Sequence, residues 1–229
     1  MPCSLTLASL ARLLSKHRIS VLIPAAALCL VVLLIPAAYS AEPSRVLMIY
    51  GDSLSAAYGM EEEDGWVALL AEKIREQGYP YRVVNASVSG ETTSGGLARL
   101  PAMLDAYDPE LFLLELGGND GLRGLPVDNI RQNLDAMVNL ASESGARVIL
   151  AGIQIPPNYG PRYTGPFFEQ YAEIAANDDL PLIPFLIDGI AQQPELMQSD
   201  GIHPKAEAQR KIVENVWPVL KPLLENVPE

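Results

Sequence analysis

Five short apolar runs punctuate the chain: Val46–Tyr50, Tyr81–Asn85, Leu111–Leu116, Val148–Ala151 and Leu182–Phe185. They are rich in leucine and β-branched residues and alternate little with polar ones, which is the pattern of strands buried on both faces. Elsewhere apolar residues recur at helical spacing. Trp66, Leu69, Leu70 and Ile74 share one face, Ile130, Leu134, Met137 and Ala141 a second, and Ile212, Val216, Leu220 and Leu223 a third. Pro218 within the last stripe predicts a bend there or an end to the regular helix. Strands alternating with crossover helices predict an α/β fold: a three-layer α/β/α sandwich around an open, five-stranded parallel sheet. In such a sheet ligands bind beyond the carboxyl ends of the strands.

The first forty residues follow a different pattern. Arg12, Lys16 and Arg18 precede an uncharged run from Ile19 to Ala41, and no acid occurs before Glu42. A basic start followed by an apolar core predicts an export signal, with Ala38 and Ser40 placed for cleavage after Ser40. The run also approaches the roughly 20 residues that span a bilayer, so an uncleaved inner-membrane anchor is the competing expectation. Bulky Leu28 before Cys29 argues against a lipid anchor there. Either way residues 41–229 form one exported domain, periplasmic or secreted.

Removing residues 1–40 takes away three positive charges and shifts the formal net charge from −12 to −15, a balance that makes nucleic acid a poor partner. Both cysteines, Cys3 and Cys29, go with the segment, so the domain has neither disulfides nor thiolate metal ligands. His17 goes too. His203 is left as the one histidine on which imidazole chemistry can rest.

The chemistry-bearing residues cluster after the predicted strands. Gly51-Asp52-Ser53-Leu54-Ser55 places a serine where a following helical turn would expose its hydroxyl. By itself that motif is ordinary turn and capping chemistry. In Asn85–Thr93, Gly90 can bring its backbone N–H close to a substrate because no side chain blocks the approach. In Leu116-Gly117-Gly118-Asn119-Asp120-Gly121, the Asn119 amide suits an oxyanion donor. In Asp200-Gly201-Ile202-His203-Pro204 the spacing lets the acid orient the imidazole, and Pro204 is placed to begin the last helix. Each of these residues alone is more economically a cap or a loop residue. Together the four loops supply nucleophile, backbone donor, amide donor and acid–base pair for one acyl-transfer site.

These four blocks resemble those of the SGNH, or GDSL, hydrolase superfamily, with Ser53, Gly90, Asn119 and His203 at its four lettered positions. More narrowly, Gly51–Ser55, Asn85–Leu100, Leu114–Gly124, Pro156–Tyr163 and Asp200–Pro204 are similar to the exported bacterial thioesterase, lysophospholipase and arylesterase group. The resemblance implies flavodoxin-like topology and a catalytic triad of Ser53, Asp200 and His203. It implies an oxyanion hole from the backbone of Ser53 and Gly90 and the side chain of Asn119. It also implies acyl ester, thioester or lysophospholipid substrates; a serine mechanism completed by water needs no metal or organic cofactor, and nothing in the sequence demands more than a monomer. Leu122, Leu125, Ile155 and Tyr159 are the expected acyl-pocket residues. Ala57 and Gln154 depart from the pattern, where glycine and a basic residue are common, and both are expected near that pocket.

Three rivals make different demands. A metal-dependent phosphoesterase could draw on Asp52, Asn119, Asp120, Asp200 and His203, but one imidazole is few for such a site. A flavodoxin-like binding module would need a glycine-rich phosphate cradle after the first strand. An ordinary α/β-hydrolase would need the Gly-x-Ser-x-Gly elbow, which Leu54-Ser55 breaks. Within the resemblance, the alternative substrate is an acetylated glycan in a shallower, more polar groove.

Overall fold

The computed structural model describes residues 45–226; the expected leader lies outside them. Five strands, β1 (Arg45–Gly51), β2 (Tyr81–Asn85), β3 (Leu111–Glu115), β4 (Arg147–Ala151) and β5 (Leu182–Ile183), pair in parallel in the order β2-β1-β3-β4-β5. Because side chains alternate along a strand, each central strand feeds two cores. Leu47, Ile49, Leu111, Leu113 and Ile149 face α1 (Trp66–Glu76) and α6 (Gln209–Glu225). Met48, Tyr50, Phe112, Leu114 and Leu150 face α2 (Thr93–Tyr107), α4 (Val127–Glu143) and α5 (Pro161–Asn177). A sixth helix, α3 (Gly118–Leu122), is a short turn directly after β3. The result is the three-layer α/β/α sandwich that the apolar pattern predicts.

Two helices, α2 and α5, carry no stripe clear enough to announce them. Gly95, Gly96 and Pro101 interrupt α2, and Gly165 and Pro166 interrupt α5. All are poor helix formers. Tertiary burial of Leu100 and Leu104, and of Phe167, Tyr171 and Ile174, overrides that local preference. Thr92 caps α2 by accepting a hydrogen bond from the Gly95 N–H at 3.2 Å.

Of the two outcomes expected at Pro218, a bend or an end, the end does not occur: α6 continues through Pro218 and Pro222 to Glu225, its inner face carried by Val216, Leu220 and Leu224. Burial of that face outweighs the lost backbone donors. The fifth strand is shorter than its apolar run, stopping at Ile183 because Pro184 has no N–H for a ladder. Among the described residues no helix is long and apolar enough to cross a membrane.

The chain runs from β1 to β2 on one side and returns to β3 on the other. The loops after β1 and β3 therefore diverge around a crevice at the carboxyl edge of the sheet, the topological switch point where α/β sheets bind ligands.

Candidate active site

Ser53 sits in the first of those loops. Tight backbone turns follow it, with the Ala56 N–H donating to the Asp52 carbonyl at 3.0 Å and the Tyr58 N–H to the Ser53 carbonyl at 3.3 Å. Asp52 fixes the start of the turn by accepting the Leu54 N–H at 3.1 Å. The Ser53 hydroxyl lies 2.8 Å from Nε2 of His203, and Nδ1 of His203 lies 2.7 Å from Oδ2 of Asp200. The other carboxylate oxygen of Asp200 accepts the backbone N–H groups of Ile202 at 2.9 Å and His203 at 3.0 Å. Partial burial works to raise the Asp200 pKa. Hydrogen bonds from the His203 side chain and these two N–H groups, with the His203 charge, outweigh it and bring the carboxyl down to about 2.

Pro204 does not begin the last helix. It lies in an isolated antiparallel bridge with Met197, and α6 starts only at Gln209, after a 3-10 turn over Ala206–Ala208. His203 is held instead by its own loop. The Gln198 N–H donates to the His203 carbonyl at 2.7 Å, and the Lys205 N–H to the Leu196 carbonyl at 2.8 Å. Gln198 also donates its side-chain amide to the carbonyls of Tyr58 at 2.9 Å and Pro204 at 3.2 Å, which ties the Ser53 loop to the His203 loop. The Tyr58 ring covers the imidazole, with centroids 4.4 Å apart and planes at 36°. Sequence reasoning missed both Tyr58 and Gln198. The available signal for Tyr58 was an aromatic five residues past the serine.

Asn119 donates a side-chain N–H to Oδ2 of Asp52 at 3.0 Å, which fixes the plane of its amide beside Ser53. Gly117, before it, has φ of 119°, and a Cβ there would collide with the Tyr171 hydroxyl. That hydroxyl in turn donates to the Leu116 carbonyl at 3.0 Å. Gly90 has φ of 81° with open space where a side chain would be, and its carbonyl accepts from Arg123 at 3.3 Å. The loop carrying Gly90 is anchored to β1 by the Val88 N–H, which donates to the Gly51 carbonyl at 3.0 Å.

Behind Ser53 lies a buried acid pair. Burial raises the Asp52 pKa to about 6, against the lowering effect of the Leu54 N–H, the His203 charge and the Asn119 amide. Glu115, at the end of β3, is fully buried; burial and then the charge of Asp52 drive its pKa well above the usual carboxylate range. Its Oε2 accepts from the Ser55 hydroxyl at 2.7 Å and the Asp52 N–H at 3.3 Å. Through these two contacts Glu115 braces the Ser53 loop from below.

The acids of the rival metal reading are spent on other partners. Asp52 takes Asn119, Asp120 takes the hydroxyl and N–H of Thr93, and Asp200 takes His203.

A cleft of about 840 Å³ opens from Ser53, Asn119 and His203. Its walls are largely apolar, with Leu54, Leu122, Ile153, Ile155, Phe168 and Phe185 among them. Of the expected pocket residues, Leu122 and Ile155 line it. Leu125 and Tyr159 do not; both are exposed outside it, where the Tyr159 hydroxyl donates to the Leu122 carbonyl at 2.8 Å. Gln154 lines the cleft as expected. Ala57 does not: it is buried outside the cleft, at φ of 55°, a left-handed conformation natural to glycine. The segment Phe185–Gln192, which forms part of the wall, carried no sequence signal of that role.

A serine, histidine and aspartate in hydrogen-bonded series at the switch point of a doubly wound sheet, with an asparagine amide beside the serine, define a hydrolase of the SGNH class. The chain belongs to the GDSL-like lipase/acylhydrolase family, whose pattern it matches over residues 49–211. It is 52% identical to esterase TesA of Pseudomonas aeruginosa over 181 residues, 79% of this chain and 90% of that one. It is 41% identical over 186 residues to thioesterase 1/protease 1/lysophospholipase L1 of Escherichia coli K12, covering 81% of this chain and 88% of the other. The solved structure of the psychrotrophic esterase EstA of Pseudoalteromonas, inhibited by monoethylphosphonate, matches with a TM-score of 0.76 and 42% identity, over 80% of this chain and all of that one.

Proposed function

We propose that the protein is a serine esterase that hydrolyses carboxylic ester and thioester bonds of acyl substrates, including aryl esters and lysophospholipids. The observation that carries this is the 2.8 Å contact of the Ser53 hydroxyl with a His203 ring that Asp200 orients, at the mouth of an apolar cleft. His203 takes the Ser53 proton as the hydroxyl attacks the acyl carbonyl, then returns a proton to the leaving alcohol or thiol. Asp200 holds the imidazole tautomer and favours the transient imidazolium. The oxyanion is met by the backbone N–H groups of Ser53 and Gly90 and by the Asn119 amide, whose second hydrogen is left over from its bond to Asp52. Water then releases the acyl group from Ser53 by the same base, with no cofactor.

The volume and apolar lining of the cleft favour an acyl chain over an acetylated glycan. Residues 1–40 act as an export signal or anchor, and residues 41–229 work as one monomeric domain outside the cytoplasm.

The test is hydrolysis of p-nitrophenyl esters of rising chain length, with and without chelator, beside Ser53→Ala and Asn119→Ala. Chelator-resistant turnover that disappears in Ser53→Ala and falls about 10²–10³-fold in Asn119→Ala is the expected result. Turnover that survives Ser53→Ala, or that the chelator abolishes, removes the triad.

A further inference from the structure

The segment around Gly90 and the start of α2 carries three features that stability alone would not select. Gly95 stands early in α2, where glycine weakens a helix. Arg99 and Glu91 form an ion pair at 2.6 Å with side chains only 24% and 12% exposed, so much of their attraction is offset by the loss of hydration. Nη2 of the same arginine is buried with no hydrogen-bond partner among the described residues. The proton transfers among Ser53, His203 and Asp200 use none of these groups.

Their common point is Glu91. A Cβ at Gly95 would collide with its carboxylate, so glycine there makes room for it. Oε2 of Glu91 accepts from Nε of Arg99, Oε1 accepts the Thr92 N–H at 3.3 Å, and the Glu91 N–H donates to the Val88 carbonyl at 3.1 Å. The Arg99 guanidinium in turn lies over the Tyr50 ring, 4.1 Å from its centroid, and the Tyr50 hydroxyl donates to the Gly96 carbonyl at 2.7 Å. Tyr50 is fully buried in β1, three residues before Ser53. A chain of contacts therefore runs from the strand that leads into Ser53, through Arg99, to the residue after Gly90. Gly90 has need of it. At φ of 81°, with no side chain and open space around it, little at the residue itself fixes its peptide beyond the 3.3 Å bond from Arg123 to its carbonyl.

We propose that Arg99 is a positioning residue for the oxyanion hole: held on the Tyr50 ring, it fixes Glu91 and so sets the direction of the Gly90 N–H relative to Ser53. The proposal rests on the serine-esterase function and on Gly90 as one of its oxyanion donors.

The experiment measures kcat and KM for an aryl ester and for its thiono analogue, in which C=S replaces C=O. The proteins are the parent, Ser53→Ala, Asn119→Ala, Arg99→Met and the double variant Glu91→Gln/Arg99→Met, each with a thermal melt. Sulfur accepts hydrogen bonds weakly, so the oxo-to-thiono ratio of kcat/KM reports the oxyanion donors and cancels any uniform loss of folded enzyme. Arg99→Met should lower that ratio about tenfold, through kcat, with KM for the oxo ester within about twofold of the parent. It leaves Glu91 without its partner and should melt lower. The double variant removes both charges and should recover the melting temperature while its ratio stays as low as that of Arg99→Met. A ratio that recovers together with the melting temperature, or that Arg99→Met leaves at the parental value while Asn119→Ala lowers it, overturns the proposal and leaves the esterase function standing. If Asn119→Ala also leaves the ratio unchanged, or Ser53→Ala cleaves the oxo ester like the parent, the oxyanion hole or the triad has failed and the proposal falls with it.

Discussion

Asn119 is held by Asp52: its amide nitrogen donates to the carboxylate of the residue preceding Ser53 at 3.0 Å. The amide has two N–H groups, so this bond consumes one and aims the other. Asp52 thereby orients the proposed oxyanion donor, even though its carboxylate is buried and its pKa is raised by burial to about 6.

Replacing Asp52 by asparagine puts an N–H where Asn119 needs an acceptor and turns the Asn119 amide over. Turnover should fall about 10- to 100-fold with little change in KM, as expected for a misaimed donor. Stability should move the other way. Between pH 3.8 and about 6 the folded protein holds a proton on Asp52 that the unfolded chain has released, so this group lowers stability as pH rises across that window. Thermal melts should show Asp52→Asn gaining on the parent from pH 4 to pH 7. An equal offset at both pH values would mean that Asp52 is not buried as a charge.

Asp200 has the opposite sign. Its pKa is lowered to about 2, so the stability it contributes is present above pH 3.8 and disappears as pH falls toward 2. Asp200→Asn should lose about 10³–10⁴ in kcat through the wrong imidazole tautomer. Its stability deficit at pH 6 should close on acidification, which melts at pH 6, 4 and 2.5 would follow.

Tyr58 acts on His203 through its ring, and its hydroxyl has no partner among the described residues. Tyr58→Phe should therefore retain parental kinetics, whereas Tyr58→Ala should lose about two- to tenfold in kcat/KM. The pair of variants measured on one p-nitrophenyl ester decides it. Equal loss in both would assign the effect to the hydroxyl.

Ala57 occupies a left-handed conformation at φ of 55°. Ala57→Gly should relieve that strain and, after glycine's own entropic cost, stabilise the protein by about 0.5–1 kcal/mol without changing chain-length preference. A higher melting temperature with an unchanged ester profile is the expected result. A changed profile would return position 57 to the substrate pocket.

The sheet was legible because its strands are buried on both faces and so read as continuous apolar runs. The helices were legible where one face meets solvent, as in α1 and α4. They were hidden in α2 and α5, where Gly96 or Pro166 disrupts the local preference that burial of Leu100 or Phe167 then overrides. Ser53, Asp200 and His203 stood out because their chemistry is uncommon and each falls after an element that projects it. Tyr58 and Gln198 did not, since ring contact and clamping across 140 positions leave no local trace. The placement of Pro204 was misjudged for a related reason. Proline at a helix start is the common case, and only the Met197 bridge, a tertiary fact, moves the start to Gln209.

That bridge has a consequence for assembly. Asp200 and His203 sit in one short loop closed at its base by Met197 and Pro204, so the proposed acid and base share a unit whose contacts with each other are local in sequence. Bringing the machinery into working order is then a docking of two parts rather than three. Tyr58 and Gln198 are the latch between them.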